Sequence, residues 1–130
     1  MRDGRTRRVE SHDDDANFLA RHRASLTILT GPAAGSEFPL ESTRLLIGRS
    51  STAEVRLEDP SVSHEHAAME LGPDGFGIRD LASTNGLRVN GAPVESTDLK
   101  HGDRLEIGSC ELQYVIEAHT AGRTWQLDDL

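Results

Sequence analysis

Between Leu46 and Gly86 the chain sets one arginine, two hydroxyls and an asparagine at turns between short apolar segments. Arg49 follows Leu45-Leu46-Ile47-Gly48, so a guanidinium stands at the end of a strand pattern. Ser63 lies in a loop opened by Pro60, ahead of His64-Glu65-His66 and the strand-like Ala67-Ala68-Met69-Glu70-Leu71. Ser83-Thr84-Asn85-Gly86 is a polar turn whose Asn and Gly suit positive φ. A guanidinium donates in a planar fork that matches phosphate oxygens, and Ser and Thr hydroxyls with turn amides add short charge-assisted bonds to the same anion. Together these residue types can recognise a phosphate.

Positioning them requires many short strands with tight turns. Strand candidates fall at residues 25–30, 37–40, 44–48, 54–57, 66–72, 75–80, 86–90, 93–95, 103–108 and 110–117, with turn residues between, the spacing of an all-β sandwich or barrel. Gly72-Pro73-Asp74-Gly75 and Asn90-Gly91 are hairpin turns by their chemistry. Gly48 is expected to let the backbone bend before Arg49 without a Cβ penalty. Gly31 to Ser36 invites a nucleotide-loop reading, but it lacks the lysine of a P-loop and lies between strands; it is read as a turn. Residues 1–24 are rich in charge and poor in apolar residues and read as a mobile tail, with Asp13 to Asp15 placed to cap a short helix from Ala16 to Arg21. The domain is expected over residues 25–117, and residues 118–130 form an extension or linker.

The order Gly48-Arg49, Ser63-x-x-His66, Thr84-Asn85-Gly86, Asn90-Gly91 and Gly102-Asp103 resembles the forkhead-associated (FHA) domain over roughly residues 25 to 116. That resemblance implies a β-sandwich of two twisted, mainly antiparallel sheets that binds phosphothreonine peptides. It implies Arg49, Ser63 and Thr84 on the phosphate, Asn85 on the ligand backbone, and His66, with Gly48 and Gly86, as structural support. It further implies an upstream Ser/Thr kinase and a phosphothreonine-bearing partner. Thr6, in Arg5-Thr6-Arg7-Arg8-Val9, has the basic neighbours of a kinase site and an aliphatic third residue after it, so the chain's own phosphorylated tail is a candidate ligand. The terminal Leu127-Asp128-Asp129-Leu130 resembles the entry to a GGDEF diguanylate cyclase domain, which would join the module to cyclic-di-GMP signalling.

The bulk properties narrow the partners. The 130 residues carry a net charge of -8 and only 4% aromatics, so nucleic acid, which needs a basic face and stacking platforms, is a poor partner. No apolar run approaches the ~18 residues that would suggest a membrane span. The opening residues lack an apolar signal core and the last residues lack a prenylation cysteine, so a cytoplasmic protein is expected. Cys110 is the single cysteine and reads as a packed core thiol. No metal or cofactor is expected.

Two other function classes compete. Ser63, His64 and His66 could belong to a hydrolase or metal enzyme, but no HExxH or nucleophile-elbow pattern accompanies them and no orienting acid is evident. The sandwich could also bind partners without phosphate, which the joint presence of Arg49, Ser63, Thr84 and Asn85 argues against.

His64 departs from the family pattern, in which Arg, Lys or Asn commonly follows the serine. Its backbone amide can still donate to the phosphate. If its imidazole joins in, binding should tighten below about pH 6.5 as histidine charges, opposed by loss of ligand charge near pH ~6. Binding titrations across this range should show a profile that His64→Ala flattens; an identical profile in the variant refutes the contact.

Overall fold

Alternation of apolar and polar residues, with a period of two, assembles this chain into two layers of strand. The computed structural model describes residues 18–118. Residues 18–21 are helical and lead into β1 (His22–Ile28). There follow β2 (Glu37–Pro39), β3 (Arg44–Gly48), β4 (Val55–Arg56), β5 (Ala67–Gly72), β6 (Gly75–Asp80), β7 (Leu87–Val89), β8 (Ala92–Pro93), β9 (Ser96–Asp98), β10 (Arg104–Ile107) and β11 (Cys110–Ala118). Thr6, the Asp13 to Asp15 cap, the start of the short helix and Leu127 to Leu130 lie outside the described residues.

One sheet runs β2-β1-β11-β10-β7-β8 and the other β4-β3-β5-β6-β9. Every pairing is antiparallel except β3 with β4. This is the expected all-β sandwich of two mainly antiparallel sheets. β1 and β11 are paired from His22↔Ala118 to Ile28↔Leu112, so the described chain enters and leaves at the same pole. The loops that follow β3, β4 and β6 gather at the opposite pole.

Inward-facing residues of both sheets fill the space between. Leu26, Leu105, Ile107, Leu112 and Tyr114 meet Ile47, Met69, Phe76 and Ile78, all fully buried or nearly so. Each such aliphatic side chain contributes about 1.5–3 kcal/mol on leaving water. With few aromatics available, Phe76 and Tyr114 meet edge to face at 6.4 Å, and the Tyr114 hydroxyl accepts the Phe76 N–H at 3.1 Å. Burial pushes the Tyr114 phenol above its ordinary range. Cys110 is half-buried and packs against this core, and burial likewise raises its thiol.

Two strand expectations change. The single strand expected at residues 93–95 is replaced by β8 and β9, between which the chain crosses from one sheet to the other. β9 is Ser-Thr-Asp, an edge strand with one neighbour and no apolar face to announce it. β1 also begins three residues earlier than expected: Ala24 is buried, and Phe18 is 6% exposed. The Phe18 ring stacks on His22 with centroids 4.6 Å apart and lies beside Gly75, over the pole opposite the gathered loops.

Phe18 is therefore part of the core. Phe18→Ala should cost about 3–4 kcal/mol of stability, read as a lower urea midpoint with an unchanged slope. A truncation that starts at residue 25 should lose at least as much.

Candidate functional site

At the end of β3 the backbone passes directly over the loop between β4 and β5. Arg49 N–H donates to the Ser63 carbonyl at 3.0 Å and Ser50 N–H to the His64 carbonyl at 3.1 Å. Gly48 permits this contact, since a Cβ there would lie 2.0 Å from the His64 oxygen. Its φ is not positive, so the reason for glycine is close approach of two backbones instead of the expected bend.

His66 joins the second and third loops. It is completely buried; its Nδ1 accepts the Ser63 N–H at 3.0 Å and its Nε2 faces the Gly86 carbonyl at 2.7 Å. One nitrogen meets a donor and the other an acceptor, so the ring is the neutral Nε2–H tautomer. His66 N–H also donates to Ile47, and its carbonyl accepts from Leu81, each at 2.9 Å. In a regular strand residues 64 and 66 would share a face. Both precede β5, however, and His64 is exposed while His66 faces inward. His66 therefore has no free nitrogen for a metal or for the Ser63 hydroxyl, which removes the hydrolase and metal readings that used it.

The third loop is held by its own side chains. Asp80, at the end of β6, accepts the Ser83 N–H at 3.2 Å and the Ser83 hydroxyl, and Ser83 Oγ accepts the Gly86 N–H at 2.9 Å. Ala82 is drawn into the left-handed region at φ 55°, and Gly86 lies there at 80°.

Arg49, Ser63, His64, Thr84 and Asn85 converge on this pole. Arg49 Nε donates to the Val62 carbonyl at 2.9 Å, which fixes the guanidinium and leaves its two terminal nitrogens. Among the described residues no carboxylate forms an ion pair with it. Ser63 Oγ accepts the Thr84 N–H at 3.1 Å, so its own proton is free to donate. Asn85 Nδ2 donates to the Ser61 carbonyl at 2.8 Å, using one of its two hydrogens. The Thr84 and Asn85 side chains are exposed. The result is a cluster of donors around the Arg49 guanidinium, in a domain whose overall charge is negative, an arrangement chemically suited to a small, multiply charged oxyanion.

Comparison with known proteins bears on the family and the fold. Residues 27–118 match the family model Yop-YscD_cpl, described as the inner membrane component of T3SS, cytoplasmic domain. The glycogen accumulation regulator GarA of Mycobacterium tuberculosis is 37% identical over 107 residues, 82% of this chain and 66% of the relative. The oxoglutarate dehydrogenase inhibitor of Corynebacterium jeikeium is 35% identical over 97 residues, 75% of this chain and 67% of the relative. A solved FHA domain, studied for phosphothreonine-dependent interactions, superposes with a TM-score of 0.67 at 32% identity, covering 72% of this chain and 95% of its own. The chain belongs to the FHA family. It spans about two thirds of the length of the GarA relative, 66%. Among the described residues no helix is long and apolar enough to cross a membrane.

Sequence reasoning did not single out Asp59, Ser61, Asp80 or Ala82 in this FHA site. The Asp59-x-Ser61 and Asp80-x-x-Ser83 spacings are side-chain-to-backbone turn patterns and were the available signal. The strained φ of Ala82 had none.

The two loop glycines are required for different reasons and should respond differently. Gly48→Ala must push the β4–β5 loop off β3 and should cost roughly 3 kcal/mol, the upper end for overpacking. Gly86→Ala meets open space and carries only the left-handed penalty, about 1–2 kcal/mol. Urea unfolding of the two variants should rank them in that order.

Proposed function

We propose that this FHA chain is a phosphothreonine-peptide-binding signalling module. The observation that carries the reading is the Arg49 guanidinium, pinned through Nε and otherwise without a carboxylate partner among the described residues, at the meeting point of three loops of free donors. Arg49, Ser63 and Thr84 take the phosphate, with the His64 amide beside them, and Asn85 takes the peptide backbone. Gly48, His66 and Gly86 hold these groups in place. A phosphothreonine supplies nearly two negative charges and three acceptor oxygens, whereas the bare hydroxyl supplies neither, so phosphorylation by an upstream Ser/Thr kinase switches binding on. The threonine methyl is the expected basis for preferring threonine over serine.

FHA relatives support a regulatory role. One is named a glycogen accumulation regulator and another an oxoglutarate dehydrogenase inhibitor. On this reading the module binds a phosphorylated partner and regulates it, or an attached output domain such as the cyclase entry resembled at Leu127 to Leu130, and performs no chemistry of its own.

The chain's own Thr6 is the first ligand to test. The described chain begins at the pole away from the site, and the seven residues of β1 span about 24 Å. Twelve residue steps separate Thr6 from Phe18, enough for up to about 40 Å when extended. The tail is thus long enough to reach its own site, and a second copy's site is equally open to it.

A labelled peptide of residues 1–12 should bind the full unphosphorylated chain only when it carries phospho-Thr6. Arg49→Ala should weaken that binding by about a hundredfold or more, since it leaves a bound dianion uncompensated. Binding of both peptide forms, or no effect of Arg49→Ala, refutes phosphate-dependent recognition. Failure of both forms, with success of another phosphothreonine peptide, removes Thr6 alone.

A further inference from the structure

One residue outside the phosphate cluster ties the site to the opposite sheet. Asp59 lies in the β4–β5 loop, and its Oδ1 accepts the Ser61 N–H at 2.8 Å and the Ser61 hydroxyl at 2.6 Å. The Ser61 oxygen in turn accepts the N–H of Ser109, in the β10–β11 turn, at 2.8 Å. The Ser109 hydroxyl closes the ring, 3.3 Å from each Asp59 carboxylate oxygen and 3.0 Å from the Ser61 hydroxyl. β4 belongs to one sheet and β10 and β11 to the other, so this ring clips the two layers together at the pole that carries the site.

The contact admits no looser version. Gly108 adopts φ +60°, and a Cβ there would lie 2.5 Å from Ser61 Oγ and 2.6 Å from the Ser61 carbonyl oxygen. That same carbonyl accepts Asn85 Nδ2 at 2.8 Å. Ser61 is therefore held by Asp59 on its N–H and hydroxyl and holds Asn85 with its C=O.

We propose that Asp59 is a positioning residue of the binding site: its carboxylate fixes Ser61, and through the Ser61 carbonyl it orients the Asn85 amide toward the ligand backbone. The proposal rests on the phosphopeptide reading above. Asp59 touches no ligand itself. Its hydrogen bonds from Ser61 hold the carboxyl below its ordinary value, so the clip stays charged through the neutral and mildly acidic range. The β4–β5 loop reaches the ligand twice: Ser63 meets the phosphate, and Ser61, through Asn85, meets the peptide beside it. A loose Ser61 would leave the anion contact intact and blur the second.

The test uses the full chain as wild type, Asp59→Ala, Asp59→Asn and Ser109→Ala. The probes are the phospho-Thr6 peptide of residues 1–12 and a degenerate phosphothreonine peptide library. Affinity is read by fluorescence anisotropy, and the Asn85 side-chain amide by its proton–nitrogen resonances. Asp59→Ala should weaken binding about tenfold and move the Asn85 resonances, the scale of losing a charge-assisted hydrogen bond. Asp59→Asn keeps an acceptor oxygen facing Ser61 and should restore binding to within about threefold of wild type. A folded Asp59→Ala chain with wild-type affinity, an unmoved Asn85 amide, or an Asp59→Asn chain as weak as Asp59→Ala overturns the proposal. If Asp59→Ala does not fold, Ser109→Ala opens the ring from its far side: weaker binding with shifted Asn85 resonances supports the proposal, and unchanged values overturn it. Absence of wild-type binding to either probe refutes the phosphopeptide reading, and the Asn85 resonances then decide Asp59's role separately.

Discussion

His66 connects the loop between β4 and β5 to the turn after β6. Its Nδ1 receives the Ser63 N–H and its Nε2–H meets the Gly86 carbonyl, with the ring fully removed from water. Either group left without a partner in that interior would be costly, because a buried orphan donor or acceptor forfeits its solvation without replacement. A buried imidazole that needs one donor and one acceptor is a geometric demand as much as a stabilising contact. It sets how far the serine loop stands from the asparagine turn, and the spacing of the donors on those loops follows from it.

Around that support the site is built from groups whose competing partners have been satisfied elsewhere. The arginine uses one nitrogen on a backbone carbonyl, the serine oxygen receives a backbone N–H, and the asparagine spends one hydrogen on Ser61. The remaining donors are aimed and unemployed, the preorganised state in which little conformational freedom is left to lose on binding. The Arg49 guanidinium in a net-negative domain also discriminates by sign and by place: long-range attraction to anions is weak, and selectivity arises at contact distance.

The sequence made the layer architecture legible because period-two burial in β3, β5, β6, β10 and β11 is written in Leu, Ile, Met and Phe. It made the donors legible because Arg, Ser, Thr and Asn stand at turns. It did not reveal β9, whose Ser-Thr-Asp pairs at an edge and buries little. It did not reveal Phe18 as core, since one aromatic beside a charged tail has no periodic partner; the ring's burial depends on Gly75, far along the chain. Asp59 and Asp80 were counted only as charge, although each organises a turn. The chemistry of Gly48 was anticipated for the wrong reason, because close approach by His64 is a tertiary fact that no local pattern encodes.

The pairing of His22 with Ala118 means that the described chain begins and ends on neighbouring strands, at the pole away from the donors. A fold with adjacent ends can be spliced into the surface loop of another protein, or strung between two domains, while its host sees little more than a short staple. Tension applied between His22 and Ala118 would peel β1 from β11 starting at that pair, at the pole away from the donor loops. The donor loops thus lie at the far end of the fold from both ends of the described chain.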